Sequence, residues 1–492
     1  MKFRYFVFFL AFSTAQDLVN LEYALGSDAF AIGSRRELFV DDSLIESMQG
    51  VRLQLQKPLP AGKILQFDQP WEGITSWTLS IVKDGDHYLL YYIGRSHEDY
   101  IKPSALRQGE KVVKAHPTTL CLAKSPDGKT WTKPTLGIHE FNGSKHNNIV
   151  AIAPDLPGVP FMDTNPQTPR DKRFKALWGQ KTNNGSMGAM ISVSEDGLAW
   201  KPWRQEPVFT SNLPNAFDSV NLVFWSEHEQ QYVCYFRYMK QGIRSFVRTT
   251  SKNLLDWTDQ VPVDFGNSTT EHYYTNATQP YFRAPHIYLA FPKRFLPFRV
   301  KNPHTSLRGI SETVFMSTRN GVRFTPFMEA FIRPGRDPRN WVHRTTGATV
   351  GLVPTGDDEI SIYTSRNYTF PTAHVERFAI RTDGFVSIHA DYQGGQFVTR
   401  PLLFKGNSLF LNYATSAAGN IQIEILNADG SPFPGYRLEE SPIIYGDEIN
   451  GRVEWNRPFG KTDSNPLGGI SRGPIRLRFV MKDADLYSFW FK

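Results

Sequence analysis

Short apolar runs separated by polar turns dominate the chain between residues 70 and 390. The same arrangement recurs five times, as an inner strand, a polar turn and a second strand rich in aromatic residues. Such runs are typical of β-strands, and few segments have the 3.6-residue apolar period of a helix. The predicted strand pairs are Thr75–Lys83 with Tyr88–Ile93, Val159–Asn165 with Arg173–Trp178, Ser219–Trp225 with Gln231–Tyr238, Tyr273–Arg283 with His286–Phe291, and Thr346–Val353 with Glu359–Ser365.

A turn motif follows a third strand in each of these units. Ser125–Trp131 and Ser194–Trp200 share the form S-x-D-G-x-x-W, and Ser251–Trp257, Ser317–Phe324 and Arg381–Phe385 are degenerate copies. Asp-Gly and Asn-Gly suit tight turns because these residues tolerate positive φ, and the aromatic residue is expected to pack on the next unit. A repeat of this size indicates a propeller. The sequence therefore predicts an all-β fold with a five-bladed β-propeller over residues 36–390.

The two ends of the chain have different patterns. Residues 391–492 contain short alternating strands at Leu409–Tyr413, Ile421–Leu426, Val453–Trp455, Ile475–Met481 and Leu486–Phe491, which predict a C-terminal β-sandwich. Residues 1–15 are predicted to be a secretory signal, because two basic residues precede a short apolar core and a small-residue cleavage site. Residues 16–35 are predicted to wrap the fold.

Composition and charge narrow the classes of partner. The net charge of +7 is scattered without a basic run, so no nucleic-acid partner is expected. No apolar stretch is long enough to span a membrane, and the expected location is extracellular, or periplasmic in a bacterium. No metal-ligand spacing is evident and no cofactor is expected, although a structural calcium on the propeller axis stays open. The sequence carries no signal for the oligomeric state.

Candidate catalytic residues are carboxylates at or before the inner strands, because these strands surround the funnel of a propeller. Glycoside hydrolysis needs two carboxylates, an acid and a base or nucleophile. Four acids are expected to converge on the funnel, namely Glu72, Asp163, Asp218 and Glu271. Glu271 or Glu72 is the expected proton donor, and Asp218 or Asp163 the expected base or nucleophile.

Candidate substrate-binding residues lie beside these acids or near the last inner strand. Aromatic rings can stack on sugars, and cationic, acidic or imidazole groups can bind hydroxyl, sulfate or uronate groups. The stacking candidates are Trp71, Trp77, Tyr273, Tyr274 and Trp341. The polar candidates are His272, Asp337, Arg339, His343 and Arg344.

Several phrases of the sequence carry a resemblance to a known group of proteins. They include Leu38–Asp42 (LFVDD), Pro70–Glu72 (PWE), Arg336–Trp341 (RDPRNW) and Tyr445–Glu448 (YGDE). The chain resembles secreted proteins usually described as glycosyl-hydrolase-like. More distantly it is similar to glycoside hydrolase families 32, 43, 68 and 130, which implies a five-bladed propeller. The W-x-N-D-P-N-G and E-C motifs of family 32 are absent, so no catalytic role is carried over from that family.

Together, the resemblance and the carboxylates predict a secreted glycoside hydrolase acting on a poly- or oligosaccharide, with anionic glycans among the candidates. Two alternatives stay open. One is a glycan phosphorylase of the family-130 kind, in which a single carboxylate and an Arg/His phosphate site replace the acid pair. The other is a carbohydrate-binding protein without activity. The carboxylates that reach the funnel discriminate among the three.

Overall fold

The computed structural model describes residues 29–455, 467, 470 and 473–492. The predicted signal segment, residues 1–15, and most of the predicted wrapping segment, residues 16–35, lie outside the described residues. The chain divides into two compact units. One unit comprises Leu38–Asp41 and Leu53–Ile388, and the other comprises the described residues up to Glu37, those of Asp42–Arg52 and those of His389–Lys492.

The larger unit is a five-bladed β-propeller, so the predicted fold class is confirmed. The first three blades are antiparallel sheets whose strands follow one another along the chain. Blade one contains Trp77–Asp84, His87–Gly94, Thr119–Ser125 and Ile149–Ile152; blade two contains Val159–Met162, Phe174–Lys181, Met187–Ser194, Lys201–Pro202 and Phe209–Ser211; and blade three contains Leu222–Ser226, Gln231–Lys240, Ile243–Ser251 and Val261–Pro262.

The last two blades depart from this regular order. In both, the predicted inner strand is interrupted and forms two short strands. Blade four contains His272–Tyr273, Gln279–Tyr281, Ala284–Ala290, Lys293–Leu296, Ile310–Thr318 and Thr325–Ile332; blade five contains Gly347–Ala348, Val353–Pro354, Glu359–Arg366, His374–Arg381 and Leu59–Gln66. The outermost strand of blade five, Leu59–Gln66, thus comes from the N-terminal side of the propeller and pairs antiparallel with His374–Arg381.

Five apolar clusters of the propeller core are each formed by two neighbouring blades. The cluster between blades five and one includes Leu65, Tyr363 and Val375 from one blade and Leu90 and Tyr92 from the other. Because such a cluster fills each of the five interfaces, the blades close into a ring.

The repeated turn motif has the same hydrogen bonds in its two complete copies. In the first copy, the Ser125 hydroxyl accepts from Gly128 N at 2.8 Å, and Asp127 Oδ1 accepts from Thr130 N at 2.7 Å. Trp131 Nε1 then donates to the Gly128 carbonyl at 2.9 Å. Gly128 has a φ of +73°, which explains the glycine at this position.

The motif also joins neighbouring blades. Tyr363 in blade five donates its hydroxyl to the Gly128 carbonyl of blade one at 2.6 Å. Tyr91 of blade one donates in the same way to Gly197 of blade two at 3.0 Å. An added Cβ at Gly128 would lie 2.9 Å from the Tyr363 hydroxyl, so the glycine also makes room for this contact.

The smaller unit is also built of β-strands and contains the predicted C-terminal sandwich. Its strands are Phe30–Gly33, Ile45–Gln49, Gly395–Thr399, Leu402–Phe404, Leu409–Asn427, Asp447–Arg452 and Ile475–Phe491. Two predicted strand pairs are each a single long strand, Leu409–Asn427 and Ile475–Phe491, which pair with a register shift between Thr415 and Asn420. The predicted strand Val453–Trp455 is wrong, because the strand ends at Arg452.

Three further strands lie where the chain passes from one unit to the other, namely Glu37–Leu38, Val51–Leu55 and Val386–Ala390.

The described residues contain no α-helix. They do include short 3-10 turns at Glu98–Tyr100, Pro103–Ala105, Arg170–Lys172, Pro338–Asn340 and Leu438–Glu440. Within the same residues, no helix has the length and apolar character needed to cross a membrane.

Candidate functional site

A cavity of about 350 Å³ opens within the propeller unit. Its walls come from blades one, three, four and five, where their innermost segments meet. The lining residues are Trp77, Thr78, Leu79, Arg95, Asp218, Ser219, Val220, Tyr274, Thr275, Lys293, Arg344, Gly347, Ala348, Ser365 and Tyr368. The volume falls in the range of small-molecule sites, about 300–1,000 Å³.

Four cationic side chains surround the ring of Tyr274. The distances from the charged group to the ring centroid are 5.1 Å for Arg237, 4.8 Å for Arg244, 5.3 Å for Lys293 and 5.8 Å for Arg344. We call these four residues the cation cluster. The negative face of an aromatic ring attracts cations, but one ring does not neutralise four of them.

A fifth cation, Arg95, lies on the neighbouring wall. Its guanidinium is 4.7 Å from the centroid of Trp77, and it donates to the Tyr368 hydroxyl at 3.4 Å. Arg344 donates to the same hydroxyl at 3.4 Å. Tyr368 therefore connects Arg95 with the cation cluster.

Carboxylates offset little of this positive charge. Among the described residues, Asp218 is the carboxylate that pairs with a member of the cation cluster, through Arg237. Several buried guanidinium atoms in and beside the cluster have no hydrogen-bond partner, namely Nε and Nη1 of Arg237 and Nε of Arg95, Arg244 and Arg344. Buried donors without acceptors are costly, so this arrangement favours an anionic ligand.

The cation cluster alters the ionisation of one of its members, Lys293, and of the neighbouring His343. Burial, followed by the nearby charges of Arg344 and Arg237, lowers the pKa of Lys293 to about 7. Burial and the charges of Arg344, Lys293 and Arg244 lower the pKa of His343 to about 3. The imidazole of His343 is therefore neutral near pH 7, whereas Lys293 titrates there.

Asp218 is the predicted acid that lines the cavity. Its side chain is 55% exposed, and it sits between Phe217 and Ser219, whose φ angles are +60° and +76°. Asn221 holds this unusual turn by donating from Nδ2 to the Phe217 carbonyl at 2.8 Å and the Ser219 carbonyl at 3.0 Å. Left-handed non-glycine residues are concentrated at functional sites, where the surrounding structure offsets their strain.

The other three predicted acids are not among the residues that line this cavity, so the cavity brings only Asp218 of the four to its wall. Glu72 is fully buried and accepts from the Tyr92 hydroxyl at 2.6 Å and from Lys133 at 2.7 Å. Both partners fix it within blade one, where a buried carboxylate needs paired donors.

Asp163 and Glu271 are also held by neighbouring side chains. Asp163 pairs with Lys175 and accepts from the hydroxyls of Thr168 at 2.7 Å and Tyr232 at 2.8 Å. Glu271 accepts from Arg294 Nη1 at 3.1 Å. Sequence position placed both acids near inner strands, but their side chains pair with partners outside the cavity lining.

The predicted substrate-binding residues are also divided. Trp77, Tyr274 and Arg344 line the cavity, and His343 packs against Tyr274 with ring centroids 5.8 Å apart. The others make contacts outside the lining. Trp71 Nε1 donates to Asn148, and Trp341 Nε1 donates to the Gly335 carbonyl. Arg339 donates to Glu110 through its side chain and to Asp337 through its backbone N. His272 accepts from Arg244 N, and Tyr273 packs on Phe265.

The sequence did not single out Arg95, Arg237, Arg244 or Lys293. A signal for three of them is present in the repeat itself. A cation lies within three residues of the end of the second strand in every blade, as Arg95, Lys181, Arg237, Lys293 and Arg366. Alignment of the five repeats by their second strands would have revealed this recurrence.

No group of three or more His, Cys, Asp or Glu side chains in the described ranges is arranged to hold a metal ion.

No family model and no curated protein sequence matches this chain. Among solved structures, a protein described as a glycoside hydrolase has a TM-score of 0.44 at 10% identity, covering 66% of this chain and 92% of its own. A GH32 β-fructofuranosidase from Bombyx mori has a TM-score of 0.40 at 11% identity, with coverages of 87% and 94%. A mannose phosphorylase from Leishmania mexicana, solved with phosphate, has a TM-score of 0.40 at 8% identity, with coverages of 66% and 88%. At this level of similarity, none of the three identifies an activity.

Proposed function

We propose that this protein is a carbohydrate-active enzyme that cleaves a glycosidic bond by phosphorolysis. In this proposal the cation cluster holds inorganic phosphate, and Asp218 is the acid. The observation that carries the proposal is the composition of the cavity, in which one carboxylate faces a group of cations with unbonded N–H groups. Hydrolysis, the reaction that the sequence predicts, is the competing reaction.

Hydrolysis and phosphorolysis differ in what they need from the protein. Hydrolysis at a sugar uses two carboxylates, one to protonate the leaving oxygen and one to activate water or form a covalent intermediate. Phosphate is already a nucleophile and needs no base. A cavity with one carboxylate and several cations therefore suits phosphate as the attacking group better than water.

The cation cluster supplies the donors that a phosphate requires. Charge-assisted hydrogen bonds from guanidinium and ammonium groups to phosphate are strong, and guanidinium groups can donate two parallel bonds. Arg344 lines the cavity, and its Nε atom, like Nε of Arg244 and Nη1 of Arg237, has no acceptor within the protein. Binding a dianion would also relieve the repulsion among four neighbouring cations.

The reaction balances with these groups. A phosphate oxygen attacks the anomeric carbon and forms the new C–O bond, while the bond to the leaving sugar breaks. The leaving oxygen takes the electron pair of that bond and a proton from Asp218. A phosphate bound beside Arg237 would compete with Asp218 for that guanidinium and would free the Asp218 side chain to face the leaving group.

Aromatic rings would position the sugar. Trp77, Tyr274 and Tyr368 line the cavity, and flat rings can pack on the apolar face of a pyranose or furanose. Thr78 and Ser365 add hydroxyl groups near the same wall, where the Ser365 hydroxyl accepts from Thr78 N at 3.0 Å. The limited volume favours the end of an oligosaccharide over an extended polymer.

The reverse reaction offers the test. The purified full chain is incubated with a panel of aldose 1-phosphates and monosaccharide acceptors, and inorganic phosphate and new glycosides are measured. We expect phosphate release that depends on the acceptor. In the forward direction, oligosaccharides made in this way should be cleaved when phosphate is present and left intact without it.

The matched pair for this assay is Asp218→Asn and Asp86→Asn. Asp86 lies exposed in the turn of blade one, away from the cavity, so its replacement should leave turnover unchanged. Cleavage of the same oligosaccharides in phosphate-free buffer would overturn the proposal in favour of hydrolysis. Absence of turnover with every donor and oligosaccharide would favour a carbohydrate-binding protein.

A further inference from the structure

We propose that the cation cluster binds a doubly charged oxyanion together with one proton, and that Lys293 takes up this proton. The ligand class is a tetrahedral dianion such as phosphate or sulfate. The inference rests on the proposed function for the identity of the natural anion, because phosphate is the anion that phosphorolysis consumes. The coupling itself concerns binding and does not require turnover.

The position of Lys293 is fixed by its backbone and by a glycine. Lys293 N donates to the Thr275 carbonyl at 3.0 Å, and its own carbonyl accepts from Tyr274 N at 2.7 Å. The side chain lies against Gly347, where an added Cβ would be 2.6 Å from Lys293 Cε and 3.0 Å from Nζ. Gly347 therefore leaves the space that the lysine side chain occupies in the cavity wall.

The groups facing Lys293 come from several segments. Arg237 lies in blade three. His343 and Arg344 are adjacent in sequence and follow the 3-10 turn Pro338–Asn340. Both arginines, together with Arg244, lie around the same Tyr274 ring as Lys293. Asp218 lines the cavity as well, but it pairs with Arg237. Lys293 is thus buried, with 8% exposure, and its neighbours are cations. Among the described residues it has no carboxylate partner.

These surroundings explain the titration of Lys293. Burial and the two arginines disfavour its charged form, and the pKa falls from the ordinary 10.5 to about 7. The pKa of the neighbouring His343 is about 3, and burial, followed by the charge of Arg244, lowers the pKa of His272 below its ordinary value. Lys293 is therefore the group facing the cluster that changes its charge just above neutrality.

A dianion beside Lys293 reverses this balance. The attraction between the anion and an ammonium group raises the lysine pKa again, so the bound state carries a proton that the free state lacks above pH 7. By linkage, anion affinity must then fall as the pH rises above about 7, by up to roughly tenfold per pH unit. Below about pH 6, Lys293 is protonated in both states and affinity should no longer depend on its titration.

Sulfate is the probe that isolates this effect, because it remains a dianion across the range in which phosphate itself titrates. Binding to the full chain is measured by calorimetry from pH 6 to 8.5, in buffers of different ionisation enthalpy. We expect uptake of nearly one proton per sulfate at pH 8 and almost none at pH 6. The Kd should weaken by about tenfold or more between pH 6.5 and 8.5.

Two variants assign the proton. Lys293→Met keeps the length of the side chain and removes the charge, and should abolish proton uptake while leaving weaker binding with little dependence on pH. Lys240→Met is the matched control on an exposed lysine of blade three, and should behave like the original protein. Circular dichroism of each variant establishes that the blades are intact.

Three results would overturn the inference: no sulfate binding at pH 6, binding without proton uptake at pH 8, or unchanged proton uptake in Lys293→Met. Phosphorolysis can fail independently. If sulfate binds with the expected proton uptake but sugar phosphates are not turned over, the anion site stands and the proposed reaction falls. If phosphorolysis is found without proton-linked sulfate binding, the proposed reaction stands and the proton-coupled anion site falls.

Discussion

At the scale of single residues, surroundings separate one predicted acid from the others. Asp218 is more than half exposed on a turn that faces the cavity, whereas Asp163 and Glu72 each have buried side chains held by a lysine and a tyrosine. A carboxylate fixed by several donors stabilises the fold, while one presented to a cavity can take part in chemistry. The residue type alone cannot distinguish these cases.

Replacement of these acids should separate activity from stability. Asp218→Asn should lower turnover by about 10²- to 10⁴-fold, because a general acid is lost, and should cost less stability than Asp163→Asn, because Asp218 is 55% exposed although its partner Arg237 is buried. Asp163→Asn should instead lower the free energy of unfolding by about 3–5 kcal/mol, because Lys175 loses its buried counter-charge. Urea denaturation and steady-state kinetics on both variants check the contrast. Equal stability losses in the two would contradict it.

The sequence allowed part of this site to be predicted. Asp218, Trp77, Tyr274 and Arg344 were identified because each lies at or beside an inner strand. Lys293 was missed because a single lysine in an apolar run has the appearance of a strand end. Its significance depends on Arg237 and Arg344, which are distant in sequence and meet it only in the closed ring.

At the scale of elements, the turn motif links neighbouring blades as well as ending a hairpin. The Gly128 carbonyl accepts from Trp131 within its own blade and from Tyr363 of the preceding blade. The same tyrosine contact recurs at Gly197 and Gly321. The aromatic residue of the motif was expected to pack on a neighbouring unit, and Trp131 does contact Tyr363, with ring centroids 5.8 Å apart. The hydrogen bond between the blades is made in addition by this tyrosine on the neighbour's second strand.

Tyr363→Phe tests this link between blades. The change removes one buried hydrogen bond, but Gly128 retains its bond from Trp131, so the expected loss is about 0.5–1.5 kcal/mol in the free energy of unfolding. Tyr445→Phe, at a residue that is 69% exposed, is the control and should have no measurable effect. A Tyr363→Phe protein as stable as the original would show that the contact does not contribute.

Strand prediction succeeded where local pattern and tertiary packing agree. The second strands of blades three and five were predicted within two residues, because a largely apolar run defines the first and alternating apolar and polar residues define the second. The inner strand of blade four was predicted as Tyr273–Arg283, whereas the structure has His272–Tyr273 and Gln279–Tyr281. The intervening residues turn toward the cavity, where Thr275 forms part of the wall.

At the scale of the whole molecule, the propeller is closed by a strand from the other end of its sequence. Leu59–Gln66 completes blade five, and Leu65 packs in the apolar cluster shared by blades five and one. The repeat spacing predicted the number of blades. It could not predict this closure, because the closing strand lies outside the repeat.

A matched pair of leucines within this strand tests the closure. Leu65→Ala should cost about 2–5 kcal/mol because it empties part of a buried cluster, whereas Leu59→Ala, at 70% exposure, should cost little. Hydrogen exchange should show faster opening of His374–Arg381 in the Leu65 variant. Unchanged exchange in that strand would mean that closure does not stabilise blade five.

The most direct measurement of the proposed reaction follows the atom that becomes attached to the anomeric carbon. The full chain is given an oligosaccharide substrate and inorganic phosphate in water enriched in oxygen-18, and the products are analysed by mass spectrometry. Phosphorolysis at the cation cluster predicts a sugar 1-phosphate without oxygen-18 at the anomeric position. Release of the non-reducing-end sugar as a free sugar that carries oxygen-18, with no sugar 1-phosphate, would contradict it and identify water as the nucleophile.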